Sequence, residues 1–183
     1  MVRRGVNVNN LLQSTDRATA VTTKFELRKS EGYAFSASKR FEGVSAGSSF
    51  DCLFNNPTGS GRIAEIISVI VGGLAQGHID IYDGVSITSY GSEMIIRNLK
   101  LGCGITSTCK AYYNGSYDIS GASKVHETVL PGGSKVRAVG ELSEIGESVS
   151  IRSGYNLMVR VTNKSGSSSD FSVRFIWYEE VSA

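Results

Sequence analysis

The sequence predicts an all-β chain: an antiparallel two-sheet sandwich of jelly-roll type, preceded by an extended N-terminal arm. Three observations carry this reading. From Tyr33 onward apolar and polar residues alternate with period two, and no window longer than about ten residues shows a helical stripe. The chain has 21 glycines and 2 prolines among 183 residues, which suits many short strands joined by tight turns. Turn signals recur at spacings of about eight to twelve residues, the pattern of a sandwich. The length fits one domain with one core.

The division expected is an arm over residues 1–30 and a sandwich over 31–183. The arm holds Arg3, Arg4, Arg17, Lys24, Arg28 and Lys29 against Asp16 and Glu26, six cations less two acids, or +4. The whole chain is +2, which leaves −2 for the remainder. Such a segment reads either as an arm lying on an acidic partner or on nucleic acid, or as a solvated tail.

The strands follow in order. "YAFSASKRF" (Tyr33 to Phe41), "SSFDCLF" (Ser48 to Phe54), "RIAEIISVIV" (Arg62 to Val71) and "HIDIYD" (His78 to Asp83) are separated by turns at Glu42 to Gly47, Asn55 to Gly61 and Gly72 to Gly77. A looser region bends at Gly84, Gly91, Gly102 and Gly104. Then come "KAYYNGSYDI", "KVHETVL", "KVRAVGEL", "ESVSIRS", "NLMVRVTN" and "DFSVRFIWYEE". In the last two, Leu157, Val159 and Val161 share one face and Met158, Arg160 and Thr162 the other. Phe171, Val173, Phe175 and Trp177 form a second inward row. Trp177 is expected in the core, leaving its neighbour Tyr178 on the opposite face and free for a partner.

"NNPTGSGR" (Asn55 to Arg62) is the stretch nearest to a phosphate-cradling loop, and it fails the test. Gly59 and Gly61 are two apart, Arg62 stands where the lysine belongs, and Ile63 replaces the metal-binding hydroxyl. The run after Gly61 is β-branched and ends on Gly72 and Gly73, so the stretch reads as a turn between strands.

No apolar run succeeds Arg3 and Arg4, and the most apolar stretch, Ile63 to Leu74, is broken by Glu65 and Ser68. The expectation is a chain without a membrane span, made in a cytoplasm. Asn114 and Asn163, both in sequons, then read as turn residues. Cys52, Cys103 and Cys109 are expected as thiols, with Cys52 a small core residue and a strained Cys103–Cys109 bridge conceivable only in an oxidising medium. His78 and His126 sit in separate strands, so no metal site is expected.

Catalytic arrangements are thin. Asp80 shares a strand face with His78, and Asp83 lies just beyond, but alternating polar residues on a solvent face write the same letters. Glu127 beside His126 points to the opposite face. No catalytic residue, cofactor or metal is assigned, and the chain is not expected to be an enzyme. Tyr112, Tyr113 and Tyr117 around "NGS" read as a sugar-stacking platform, as cross-strand packing of a hairpin, or as a subunit contact.

Taken in order, "FDCLFNNPTGSGR", "HIDIYDG", "EMIIRNLKLG", "ETVLPGGSK", "GYNLMVRVTNKSG" and "FIWYEE" resemble a family of small all-β virion proteins of tailed bacteriophages. The resemblance spans Phe35 to Glu180. It implies a structural component of the particle: a capsid decoration or cement protein on the capsid surface, or alternatively a carbohydrate-binding part of the tail or fibre. It implies no catalytic residues. The partners expected are the major capsid protein and the chain itself as a homotrimer, with no membrane and no sequence-specific nucleic acid. Arg3, Arg4 and Arg17 are the expected docking residues, and Tyr112, Tyr113, Tyr117 and Tyr178 the interface anchors.

Overall fold

The computed structural model of the protein describes residues 23–131, 138–142 and 148–181. Among the described residues one helix, α1 (Lys24–Glu31), precedes fourteen strands. These are β1 (Ala34–Val44), β2 (Ser49–Asn55), β3 (Arg62–Gly73), β4 (Gly77–Asp83), β5 (Ser86–Ser89), β6 (Ser92–Glu93) and β7 (Ile96–Asn98), then β8 (Lys110–Tyr113), β9 (Ser116–Asp118), β10 (Ser123–Leu130), β11 (Ala138–Leu142), β12 (Val149–Ile151), β13 (Asn156–Asn163) and β14 (Ser169–Val181).

The molecule is an antiparallel sandwich. One sheet runs β11-β3-β14-β1-β7, with β12 also paired to β3, and the other runs β10-β4-β13-β2-β8-β6. Along the chain β1, β2, β3 and β4 alternate between the sheets, as do β10, β11, β13 and β14. The predicted alternation holds at the centre. Leu157, Val159 and Val161 of β13 face Phe171, Val173, Phe175 and Trp177 of β14 within one core, and Cys52 is a fully buried member of it. Aromatic rings stitch the layers together: Phe54 lies 5.1 Å from Trp177 and 5.8 Å from Phe175 of the facing sheet between ring centroids, while Phe35 lies 5.9 Å from Trp177 within its own sheet. The stretch after Asn55 is a turn between β2 and β3, as expected. The Asn56 side chain holds it by donating to the Arg62 and Ile151 carbonyls, both at 2.9 Å.

β3 departs from strict alternation for a local reason. Its pairing with β14 shifts register between Ile176 and Trp177, so Ile66 and Val69, three apart, both reach the core. A bulge adds a residue to one strand and swaps the parity beyond it.

Three features differ from the sequence reading. Residues 24–30, assigned to the arm, are helical together with Glu31. Thr23 caps the helix by accepting from the Glu26 amide at 3.3 Å, and Thr23-x-x-Glu26 has the spacing of a capping box. The helix stops at Gly32, whose φ of 90° suits the left-handed position, with Gly32 and Tyr33 amides donating to Lys29 and Arg28. Second, "KAYYNGSYDI" is two strands rather than one. The chain leaves the β8 sheet at Asn114 (φ 55°), and β9 pairs with β5 in a separate ribbon. Third, Met158 does not face solvent. With Leu53 and Val85 it forms a second buried cluster, over which Tyr82, Ile87, Tyr112, Tyr117, Ile119 and Ala122 pack. The ribbon therefore adds a partial third layer on the outer face of the second sheet. Gly91 lets it turn back: at φ 75° it sits against the Tyr113 backbone, where a side chain would not fit.

Met158→Ala should consequently cost about 2–5 kcal/mol in urea unfolding, like a truncation in the main core, rather than under about 0.5 kcal/mol as at a solvent face. A near-neutral result would mean that the ribbon is not a packed layer.

Candidate docking surfaces

The root of the N-terminal segment is clasped to the end of β14. Arg28 reaches Glu180 at 3.3 Å and Lys24 reaches it at 3.8 Å. Arg28 also pairs with Glu31 at 2.7 Å and Lys29 with Glu26 at 3.4 Å, both within α1. Arg3, Arg4 and Arg17 lie outside the described residues. Of the +4 read from residues 1–30, Lys24, Arg28 and Lys29 are engaged by the body or by the helix itself. The part ahead of Thr23 keeps three cations less one acid, or +2.

Tyr178 is not free for a neighbour. It is 4 % exposed, and the Phe25 ring lies over it at 6.4 Å between centroids. Alternation correctly put Tyr178 opposite Trp177, but α1 covers that face. Burial, and then the negative Glu65 and Glu180, push its hydroxyl pKa up.

The other three tyrosines do not form one platform. Tyr112 and Tyr117 belong to the cluster beneath the ribbon, whereas Tyr113 packs against the main core. The Tyr113 ring meets Phe41 edge-on at 6.1 Å and carries the Lys39 ammonium 4.4 Å from its centroid. Tyr112 stacks obliquely with Tyr90 at 4.7 Å, and the Tyr117 hydroxyl donates to the Tyr90 carbonyl at 3.0 Å. Burial pushes the Tyr117 pKa up to about 12, assisted by neighbouring negative groups.

The outer face of the β4 sheet bears a charged row. Arg160 makes a two-pronged pair with Asp51, both bonds at 2.8 Å. Lys124 bridges Asp80 at 2.9 Å and Glu127 at 3.1 Å. Asp80 is thus an ion-pair member on a polar face, the arrangement its alternation implied. Asp83, three residues on, falls on the opposite parity, so the two carboxylates do not flank one point. Among the described residues no three His, Cys, Asp or Glu side chains converge to hold a metal ion. No described helix is long and apolar enough to cross a membrane.

Sequence reasoning missed Glu179. It is 2 % exposed, and its carboxylate accepts from the Ser107 and Thr108 hydroxyls, the Thr108 and Cys109 amides and the Trp177 indole N–H. A buried carboxylate without a cation needs such a set of donors. The signal was present: Glu179 continues the inward parity of Phe171, Val173, Phe175 and Trp177. Its donors fix residues 107–109 at one end of a segment whose other end is braced by Asn98. The Asn98 amide donates to the Ile105 carbonyl at 2.9 Å and to the Gly32 carbonyl at 2.7 Å.

Between these braces lies a cleft of about 570 Å3, floored by Phe35, Met94, Ile96 and Ile105, with the Glu93–Lys110 pair (2.8 Å) on its rim. Cys103 lines it and is partly exposed. All three cysteines are free thiols. The chain matches no family model, and no curated protein matches it in sequence.

Two measurements check this geometry. Cys52 and Cys109 are fully buried, and burial pushes both thiols well above the ordinary range. A thiol reagent at neutral pH should therefore modify Cys103 promptly in the native protein and all three cysteines in urea, as resolved by peptide mass mapping. Prompt native labelling of Cys52 would contradict the packing. Tyr117 gives a pH signature. Below about pH 10 the phenol is protonated in both states; from about pH 10 to about pH 12 the unfolded chain loses the proton first. Stability should fall as pH rises through that window, and Tyr117→Phe should shrink the fall in urea midpoint between about pH 9 and about pH 12.

Proposed function

We propose that the protein is a structural virion component of a tailed phage: a decoration or cement protein of jelly-roll type that binds the assembled head as a homotrimer and stabilises it. Two four-strand orders, β11-β3-β14-β1 and β10-β4-β13-β2, with successive strands alternating between sheets, support the jelly-roll assignment. The observation that carries the docking reading is the root of the N-terminal segment. α1 is capped at both ends and clasped to Glu180, so residues 1–22 join the body at a fixed point while Arg3, Arg4 and Arg17 outnumber Asp16. A basic segment on a fixed root suits tethering to an acidic shell. The glycan-binding alternative drew on a tyrosine platform; that group is divided between two faces, leaving Tyr90 at 44 % exposure as the open ring beside it.

The test is a deletion of residues 1–22 that starts at Thr23 and keeps the cap of α1. The shortened protein should retain its fold. It should bind particles more weakly and with a flatter salt dependence, since screening falls from about 10 Å at 0.1 M to about 3 Å at 1 M. Unchanged binding would remove the segment from docking. Light scattering should give about three chain masses, as cyclic assembly on a threefold site requires, and a clean monomer would count against it. Particles stripped of the protein should lose genome at lower temperature, because a ligand of the assembled shell stabilises it by mass action. Identical melting of stripped and complete particles would leave decoration without cementing.

A further inference from the structure

The turn between β8 and β9 carries the chain's single Asn-Gly pair, Asn114 and Gly115. Such a pair has a reaction of its own. The Gly115 amide nitrogen attacks the Asn114 side-chain carbonyl carbon: a C–N bond forms, the bond to the side-chain nitrogen breaks, and ammonia leaves with the proton that the amide loses. Water then opens the resulting cyclic imide at either carbonyl, giving aspartate or isoaspartate with no change of oxidation state. Glycine favours the attack because no Cβ crowds the nitrogen.

The fold dictates both residues. Asn114 sits at φ 55°, in the left-handed region, which asparagine tolerates better than most residues. Gly115 cannot be replaced, since a Cβ there would collide with the Tyr117 hydroxyl and the Ser89 carbonyl. The labile pair is therefore built into the turn, and Asn114 is exposed to water.

The same geometry holds the reaction back. A left-handed φ goes with a ψ of about +47°. At that angle the Gly115 nitrogen lies nearly opposite Cβ across the Cα–C bond, whereas ring closure needs the two eclipsed. Asn114 must leave the left-handed region before it reacts. The packing opposes that movement: Gly91 rests on the Tyr113 carbonyl, the Asn114 carbonyl carbon and the Gly115 nitrogen, so tightly that a Cβ on Gly91 would overlap all three. Around this contact Ile87 pairs with Tyr117 and Ser89 with Ser116, and the Tyr117 hydroxyl donates to the Tyr90 carbonyl at 3.0 Å.

We propose that Asn114 is a latent deamidation site locked by the β5–β9 ribbon, and that its reaction makes opening of the ribbon irreversible. Isoaspartate inserts a methylene into the main chain at a point where Gly91 is already packed against it without space for a Cβ. The converted ribbon cannot redock, and Leu53, Val85 and Met158 lose their cover. The site does not depend on what the protein binds.

Peptide mapping of the full chain, sampled over days in mildly alkaline buffer, tests this, with the acetylated and amidated peptide Tyr-Tyr-Asn-Gly-Ser-Tyr as the unlocked reference. Modification of an opened state follows the population of that state, so Asn114 in the native protein should convert at least about tenfold more slowly than in the peptide. Ile87→Ala removes apolar packing beneath the ribbon and should bring the rate toward that of the peptide. Tyr117→Phe keeps the ring and removes only the bond to Tyr90; it should raise the rate less, and it serves as the test variant where Ile87→Ala does not fold. In methyl NMR the Met158 signal of the isoaspartate form should move to the position of an unpacked methionine. Native conversion as fast as in the peptide, a rate that neither variant raises, or an unmoved Met158 signal in the isoaspartate form would each overturn the proposal.

Discussion

The inward row of β14 is the constraint on which the rest of the structure depends. Its thirteen residues lie between β3 and β1, and Phe171, Val173, Phe175 and Trp177 occupy the space between the sheets. At about 25 cal/mol per Å2 of apolar surface buried, such rings supply more of the folding free energy than any polar contact. The same strand then changes task. At Glu179 the inward position is a carboxylate, and its donors organise residues 107–109; at Tyr178 and Glu180 the outward positions seat α1. One strand thus fixes the core, the cleft wall and the root of the N-terminal segment. The dependence runs one way, because the carboxylate is tolerable only where Trp177 and the 107–109 segment already converge on it.

Much of the sandwich was legible because period-two alternation reports directly which residues share a face. β13 begins and ends where the pattern placed it, and its inward residues were identified correctly. Alternation is silent on whether the other face is later covered. Met158 and Tyr178 read as outward and are outward, yet one lies under the β5–β9 ribbon and the other under α1. Those covers come from distant segments, so no local pattern announces them. α1 itself is eight residues long, too short for a helical period to stand out, and it was readable only from Thr23, Glu26 and Gly32 at its ends. The tyrosines were grouped by proximity in sequence, but Tyr112 and Tyr113 are neighbours on β8 and point to opposite faces, and after the break at Asn114 Tyr117 joins Tyr112 under the ribbon. Glu179 was the opposite failure: parity placed it inside, while its charge argued for solvent.

The open edges show how the sandwich avoids indiscriminate pairing. β10 is an edge strand with Val125 and Val129 more than half exposed, which invites another strand. Its pairing with β4 is interrupted by an irregularity between Lys124 and His126, and the Lys124 ammonium is held there by Asp80 and Glu127. A bulge twists the edge away from an incoming backbone, and a fixed charge there resists desolvation. On the far side, β6 and β7 are two and three residues long, too short to template a strand. Edge-to-edge pairing is thereby disfavoured at β10, β6 and β7.

The cleft wall is in turn backed by α1. Gly32, which ends α1, lies so near the Cys103 sulfur that a side chain there would collide with it, and Ile105 is its next neighbour. The helix that roots the basic segment therefore backs directly onto the wall of the cleft. The clasp of Arg28 and Lys24 on Glu180 holds that helix in place, so the strand whose Glu179 organises residues 107–109 also seats the helix that backs Cys103 and Ile105.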